Sequence, residues 1–242
     1  MSRADIRQSC AAGAAALSLI LLAGCSDSGS GEPDEGASDA VVEESRGPAL
    51  SEAELTKVTL RAGDVEGHKV SKPTATVTQK DVKAGDEACV PVAYAVAGTV
   101  LGEPRTTVQR ETASEPDARA KASAAPDITR VLVRLSAYEG DEAQAAMDSL
   151  SEAADSCTKG FTLTVDGTEQ QVTKIAKTTA PQGADQAIAL NVTSEKVPMK
   201  VVVIRKGSTL GYFTAINIAS AASGKNFAFP TEVVDAQLVK LA

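Results

Sequence analysis

Residues 185–218, DQAIALNVTSEKVPMKVVVIRKGSTLGYFTAINI, contain three apolar segments in close succession. The run 200–205 is apolar at every position between its charged ends, which is typical of a strand covered on both faces. Gly207-Ser208 suits a tight turn after it. We therefore predict a three-stranded antiparallel meander, with strands at 185–194, 199–206 and 209–218.

Shorter patterns upstream predict more strands. Residues 105–112 are predicted to form a strand. Apolar and polar residues alternate in 128–138 and in 161–165, as in strands with one buried face. Asp166-Gly167 follows the last of these and is typical of a two-residue hairpin turn. A weaker, Thr-rich strand or pair of strands is expected between 70 and 82, where Pro73 interrupts the pattern.

Helices are predicted between and after these strands. Ser51 and Glu54 form a capping-box pattern, and apolar residues recur every three or four positions in 141–157. The predicted helices are 51–61, 86–98, 141–157 and 231–241, the last with Val234, Leu238 and Leu241 on one face. The expected fold class is α+β, with an antiparallel sheet of about six or more strands and three or four packing helices.

The N-terminal residues 1–24 have the features of an export signal. Arg3 and Arg7 precede an apolar core at 11–23 that is too short to cross a bilayer as a helix. The stretch Leu22-Ala23-Gly24-Cys25 looks like a lipobox, the motif at which bacterial lipoproteins are cleaved and acylated on cysteine. We expect Cys25 to carry the lipid anchor. The alternatives are an ordinary signal peptide with a chance cysteine and a cytosolic protein with an apolar N-terminus.

Residues 25–48 are predicted to be a disordered acidic tether. They carry seven acids, one arginine and few large apolar side chains, so they cannot bury enough surface to offset the entropy of ordering. Residues 49–242, the predicted single domain, carry 21 basic and 24 acidic groups. Because the domain has no basic excess, nucleic acid is not an expected partner.

The four cysteines divide by position. Cys10 leaves with the signal and Cys25 is acylated, which leaves Cys89 and Cys157 outside the membrane, where disulfides persist. We predict a disulfide between them; the alternative is two buried thiols. Neither cysteine has the spacing of a metal or redox site, and no cofactor or metal is expected.

Few residues are candidates for catalysis, so we expect no enzyme. The chain has one histidine, His68, which lies in a polar stretch and is expected on the solvated surface. No nucleophile elbow, phosphate loop or zinc-helix motif accompanies it. The acidic pairs Asp86-Glu87 and Asp141-Glu142 stand at predicted helix starts, where capping accounts for them.

Arg130, Arg134 and Tyr138 are predicted on one strand face. Such a set can hold an anionic ligand, but a solvated face is the simpler expectation, because long charged side chains are mostly exposed.

The chain resembles actinobacterial cell-surface lipoproteins. The resemblance rests on the lipobox, the acidic tether, the hairpin-rich tail, and the segments Asp86-Glu87-Ala88-Cys89-Val90-Pro91, Ser136-Ala137-Tyr138-Glu139-Gly140 and Asp155-Ser156-Cys157. Over about residues 50–242 it also resembles the extracellular sensor domain of a mycobacterial serine/threonine kinase. That resemblance implies an antiparallel sheet packed by helices around a cleft, and a binding role. The sensor domain has a second disulfide for which this chain has no cysteines.

Two function classes follow. The first is a lipid-anchored protein on the extracytoplasmic face of the cell membrane, with a non-catalytic domain that binds or senses a small molecule, a cell-envelope component or a partner protein. The alternative is a carrier that holds a lipid or glycolipid in an apolar cavity between sheet and helices.

Overall fold

A computed structural model describes residues 48–116 and 125–242. The predicted signal peptide, Cys25 and the acidic tether up to residue 47 lie outside the described residues, so those predictions stay predictions.

One antiparallel sheet is the centre of the described structure. Its strand order is β1-β3-β4-β9-β8-β7-β6-β5-β2. The strands are β1 His68–Ser71, β2 Val82–Ala84, β3 Thr106–Ser114, β4 Thr129–Ala137, β5 Phe161–Val165, β6 Thr168–Thr178, β7 Gln186–Ser194, β8 Val197–Lys206 and β9 Thr209–Asn217. The helices are α1 Glu52–Val58, α2 Val90–Val96, α3 Glu142–Ser156, α4 Ile218–Ser223 and α5 Thr231–Leu241. The predicted α+β class is thereby confirmed.

Strand β8 is the central strand of the meander, and it is buried on both faces. It pairs with β7 on one side and with β9 on the other, and Val201–Ile204 are all buried. Val201 and Val203 pack on one face of the sheet, and Val202 and Ile204 on the other. The continuous apolar run therefore gives a strand that is covered on both faces.

Helices α2 and α3 cover one face of the sheet, and α1 and α5 cover the other. On α3, the residues that face the sheet include Met147 and Leu150, both almost fully buried. The structure joins Cys89, just before α2, to Cys157, just after α3, in the predicted disulfide, with a Cα–Cα distance of 5.8 Å. The bridge links the two helices that lie on the same face.

Several elements differ from the sequence prediction. Helix α1 ends at Val58 because Gln237 of α5 closes it: the Gln237 amide donates to the Val58 carbonyl at 2.7 Å and accepts from the Leu60 amide at 3.2 Å. Gln237 is fully buried, whereas Leu238 and Leu241, predicted to share the buried face of α5 with Val234, are only partly buried.

Two further differences concern short elements. The region between 70 and 82 forms the end of β1, a 3₁₀ turn and the start of β2, with no strand through Pro73. The six-residue helix α4 was not predicted; the Asn217 side chain caps it by accepting from the Ser220 amide at 2.8 Å.

Candidate functional site

The face of the sheet that carries α2 and α3 is not covered by helices over its whole width. Helices α2 and α3 contact β2 and strands within β6–β9. Over β3 and β4, the same face presents polar residues, with Gln109 opposite Arg134 and Thr107 opposite Ser136. Two loop segments, 76–80 and 99–104, lie over this polar part of the sheet and enclose a cleft of about 630 Å³. We call it the Arg134 cleft.

Arg134 lies in the wall of this cleft and is only 3% exposed. Its Nη1 donates to the Val77 carbonyl at 3.2 Å and to Thr99 Oγ1 at 3.1 Å. Its Nη2 donates to the Val77 carbonyl at 3.1 Å and to Gln109 Oε1 at 2.8 Å. All of these acceptors are neutral, and within the described ranges no carboxylate oxygen lies within 4.0 Å of the guanidinium.

A buried cation with only neutral partners is unusual, because desolvating a charge is costly unless an opposite charge compensates for it. Burial lowers the pKa of Arg134 from its usual value. Arginine nevertheless stays protonated in proteins, so the charge is present in the folded state.

Two hydrogen-bond donors at this place have no partner. Arg134 Nε and Gln109 Nε2 are both buried and make no hydrogen bond. Buried polar atoms without a partner are rare in native structures, and each requires an explanation. Since both atoms are donors, an acceptor, above all an anionic oxygen, is the group that would complete their bonding.

Tyr138 contributes to the cleft indirectly. Its hydroxyl donates to the Leu101 carbonyl at 2.6 Å and lies 2.6 Å from the Tyr212 hydroxyl, which accepts from the Leu101 amide at 3.1 Å. Burial raises the pKa of Tyr138, and it raises that of Tyr212 to about 12. The pair holds the loop at Leu101, which is part of the cleft's cover. The Tyr138 hydroxyl thus holds this loop and is not placed to contact a ligand.

Arg130 and Arg134 therefore differ, although the sequence grouped them. Arg130 is exposed and pairs with Glu111 on the neighbouring strand, as the solvated-face prediction requires. That prediction is wrong for Arg134, because the loop segments 76–80 and 99–104 cover it. Sequence reasoning also missed Gln109 and Thr99. The polar residues Thr107 and Gln109, on either side of the apolar Val108, were the available signal.

The prediction that His68 lies on the solvated surface is wrong. His68 begins β1, and its side chain is only 6% exposed. Its Nδ1 lies 3.1 Å from the Glu66 carbonyl, and its Nε2 lies 3.7 Å from Glu232 Oε1 of α5. The ring is covered because α5 returns across this end of the sheet. In the described part of the chain, no serine hydroxyl is hydrogen-bonded to His68.

The two acidic pairs lie at helix starts. The Asp86 carboxylate accepts from the Ala88 amide at 3.0 Å and caps the 3₁₀ turn before α2. Asp141 occupies the N-cap position of α3 without a side-chain capping hydrogen bond, and Glu142 lies in the first turn, where an acid is favoured. Among residues 48–116 and 125–242, no cluster of His, Cys, Asp or Glu has the arrangement of a metal site.

The described residues contain no helix that is long and apolar enough to cross a membrane. Four clefts of about 440–630 Å³ are open to solvent, and each has polar side chains in its wall. None of these four is the closed, dry cavity that a lipid carrier requires.

The fold is similar to that of a solved mycobacterial domain. The crystal structure of the extracellular domain of PknH from Mycobacterium tuberculosis matches with a TM-score of 0.50 and 15% identity, over 81% of this chain and 96% of that domain. An uncharacterized protein from Mycobacterium smegmatis, the Rv0999 ortholog, matches with a TM-score of 0.35 and 15% identity, over 78% of this chain and 94% of the other. No protein-family model matches the sequence, and no curated protein sequence matches it.

At 15% identity the likeness concerns the fold. The predicted resemblance to a kinase extracellular domain is confirmed at that level. The chain thus has the architecture of an extracellular domain from a mycobacterial kinase.

Proposed function

We propose that the protein is an extracytoplasmic lipoprotein whose domain is a non-catalytic binding or sensory module, and that the Arg134 cleft holds its ligand. The observation that carries this proposal is the buried guanidinium of Arg134, which has no described carboxylate partner and an unbonded Nε. The Nε2 of its hydrogen-bond partner Gln109 is also unbonded. The fold shared with the extracellular domain of PknH supports an extracytoplasmic place of action.

The chemistry of the cleft favours a small anionic ligand. An anionic oxygen would accept from the two free donors and would compensate for the buried charge of Arg134. Val77, Val100 and Pro104 add apolar surface to the wall, which suits a ligand with a carbon skeleton.

A binding role agrees better with the described residues than an enzymatic one. His68 is held between Glu66 and α5 on the face opposite the cleft, and no described metal cluster offers an alternative centre. Glu103 and Lys80 also line the cleft, but among the described residues neither is hydrogen-bonded to Arg134 or to Gln109. The groups that surround the unbonded donors are therefore better suited to holding an anion than to transforming it.

A screen for thermal stabilisation tests the cleft. A ligand at a hundredfold excess over its Kd stabilises the folded state by about 2.7 kcal/mol. Sugar phosphates, dicarboxylates, wall fragments and lipid headgroups form the panel, and we expect at least one stabiliser. Its effect should be lost in Arg134→Met and kept in Arg130→Met, which removes an exposed guanidinium from the same strand. A panel without any stabiliser, or one whose stabilisers act equally on Arg134→Met, would refute the proposed site.

The anchor is a separate part of the proposal. Acylation of Cys25 is supported by the lipobox-like sequence, by the apolar stretch before it and by the acidic tether after it. Two or more acyl chains give stable membrane attachment. We expect Cys25→Ser to release the protein from the membrane fraction or to leave it unprocessed, whereas Cys10→Ser in the signal should change neither. A Cys25→Ser protein that is processed and membrane-bound as usual would contradict the anchor.

A further inference from the structure

A second buried cation lies on the other face of the sheet. Lys200 of β8 is 7% exposed and points to the same face as Val202, which packs with α5. The segment between α4 and α5 passes over it. Together with β7 and residues 178–181, this segment encloses a cleft of about 440 Å³, which we call the Lys200 cleft.

The ammonium of Lys200 is held by neutral groups. Its Nζ donates to Asn191 Oδ1 at 2.6 Å and to Asn226 Oδ1 at 2.6 Å, and it lies 5.6 Å from the centre of the Phe227 ring. In the part of the chain that the structure describes, no carboxylate lies within 4.0 Å of Nζ. Burial lowers the pKa of Lys200, and no opposing charge offsets that effect.

The contacts of Lys200 fix the orientation of both asparagines. Lysine has three N–H donors and no acceptor, so the amide oxygens of Asn191 and Asn226 must face it. Their NH₂ groups are then directed elsewhere, and the structure gives neither of them an acceptor among the described residues. One N–H of Lys200 is also left over. Apart from the hydroxyls of Thr178, Thr179 and Thr231, which can donate or accept, the side-chain polar groups that remain in the wall are donors.

We propose that the Lys200 cleft binds the carboxylate of a small organic acid, with the Lys200 ammonium and the Asn191 and Asn226 amides as donors and with Phe227 and Phe229 in contact with the acid's apolar part. One ammonium matches one negative charge. Both phenylalanines are partly buried in the wall, so they offer ring surface to a carbon skeleton. A phosphate would bring more charge than the site neutralises and no apolar part for the rings.

The test observes Lys200 itself. In the full chain labelled with ¹³C at the lysine Cε, the Lys200 signal is assigned by its loss in Lys200→Arg. Benzoate and hexanoate are the probes, and inorganic phosphate at equal concentration is the comparison. We expect both acids to shift the Lys200 signal saturably and to raise its titration midpoint, because a bound carboxylate stabilises the charged amine. Phosphate should do neither.

Two substitutions separate binding from a structural role. Asn226→Asp places a negative charge beside Nζ and removes the amide donor, so it neutralises the ammonium without a ligand. This variant should melt no lower than the wild type and bind benzoate at least about tenfold more weakly. Lys200→Met should bind neither acid. Lys174→Met removes an exposed lysine of β6 and should bind as the wild type does.

The outcomes decide the proposal. Failure of both acids to saturate, saturation by phosphate, or unchanged affinity in Asn226→Asp or Lys200→Met would overturn it. The Lys200 cleft lies on the sheet face opposite Arg134, so Arg134→Met should leave acid binding at Lys200 unchanged. Loss of benzoate binding in Arg134→Met would also overturn the proposal, because it would place the acid in the other cleft.

Discussion

Two parts of one sheet face are buried by different means. Over β6–β9, helices α2 and α3 cover apolar residues such as Val203 and Leu190, and a disulfide ties the helices together. Over β3 and β4, loop segments cover a polar surface at whose centre Arg134 has neutral partners only. We call these the helix-covered part and the loop-covered part.

The helix-covered part stabilises the fold, whereas the loop-covered part is suited to binding. Burial of apolar surface stabilises the helix-covered part by about 25 cal/mol per Å². The loop-covered part instead contains a desolvated charge and two unbonded donors, which cost free energy. Arrangements that lower stability cluster at functional sites, so the loop-covered part is where a ligand is expected.

The largest effect is expected from the disulfide in the helix-covered part. Replacing both Cys89 and Cys157 with Ser opens a loop with a sequence separation of 68 residues. In the loop-entropy model this lowers the free energy of unfolding by about 4 kcal/mol. Denaturant titration of oxidised wild type against the double variant measures it. Reduced wild type is the control and should match the variant; equal stability of oxidised and reduced protein would contradict the role of the bridge.

Core packing in α3 should have the next largest effect. Leu150 is fully buried against the sheet, so Leu150→Ala should lower the free energy of unfolding by about 3 kcal/mol through lost burial and a residual cavity. Val239→Ala on α5 is the matched control, since Val239 is 77% exposed and should change stability by less than about 0.5 kcal/mol. If Leu150→Ala and Val239→Ala lower the free energy of unfolding equally, α3 would not be a core helix.

At the border of the two parts, the tyrosine pair predicts a dependence on pH. Burial raises the pKa of Tyr212 from 10.0 to about 12, so the folded state holds its phenolic proton more tightly than the unfolded state does. Stability from this group is complete below pH 10 and is lost as pH rises towards 12, by about 1.4 kcal/mol per pH unit. Urea titrations of wild type and Tyr212→Phe between pH 8 and 12 measure it. The variant should show the shallower decline, and parallel curves would contradict the assignment.

The smallest effect on stability is expected in the loop-covered part. Arg134→Met removes the desolvation cost of a buried charge but leaves the Val77 carbonyl and Gln109 Oε1 without their donor. Because the two effects oppose each other, the substitution should lower the free energy of unfolding less than Leu150→Ala does. Arg130→Met at the exposed end of β4 should stay within about 0.5 kcal/mol of wild type. A loss for Arg134→Met equal to that of Leu150→Ala would mean that Arg134 is structural.

The sequence predicted the helix-covered part better than the loop-covered part. The meander, the Asp166-Gly167 turn and helix α3 were predictable because local periodicity and turn residues determine them. The burial of Arg134 was not predictable, nor was that of His68 on the opposite face. Arg134 is covered by the loop segments 76–80 and 99–104 and His68 by α5, and each covering segment is far in sequence from the residue that it covers.

The contacts of Arg134 with Gln109 and Val77 were also not predictable, because they too form only in the folded chain. Gln109 lies opposite Arg134 only through the register of β3 and β4, and Val77 contributes a backbone carbonyl that no side-chain motif reveals. The pair Cys89 and Cys157 was predictable across a long separation, because few cysteines were left to pair.

The central claim is that the loop-covered part holds an anion against Arg134, and arginine NMR tests it most directly. The ¹H–¹⁵Nε signals of Arg134 and Arg130 are followed in the full chain during titration with each anion that stabilises the protein thermally. We predict a saturable shift of the Arg134 Nε signal with little change at Arg130, because the free Nε–H donates to the bound oxygen. Stabilising anions that leave the Arg134 Nε signal unchanged would contradict the claim.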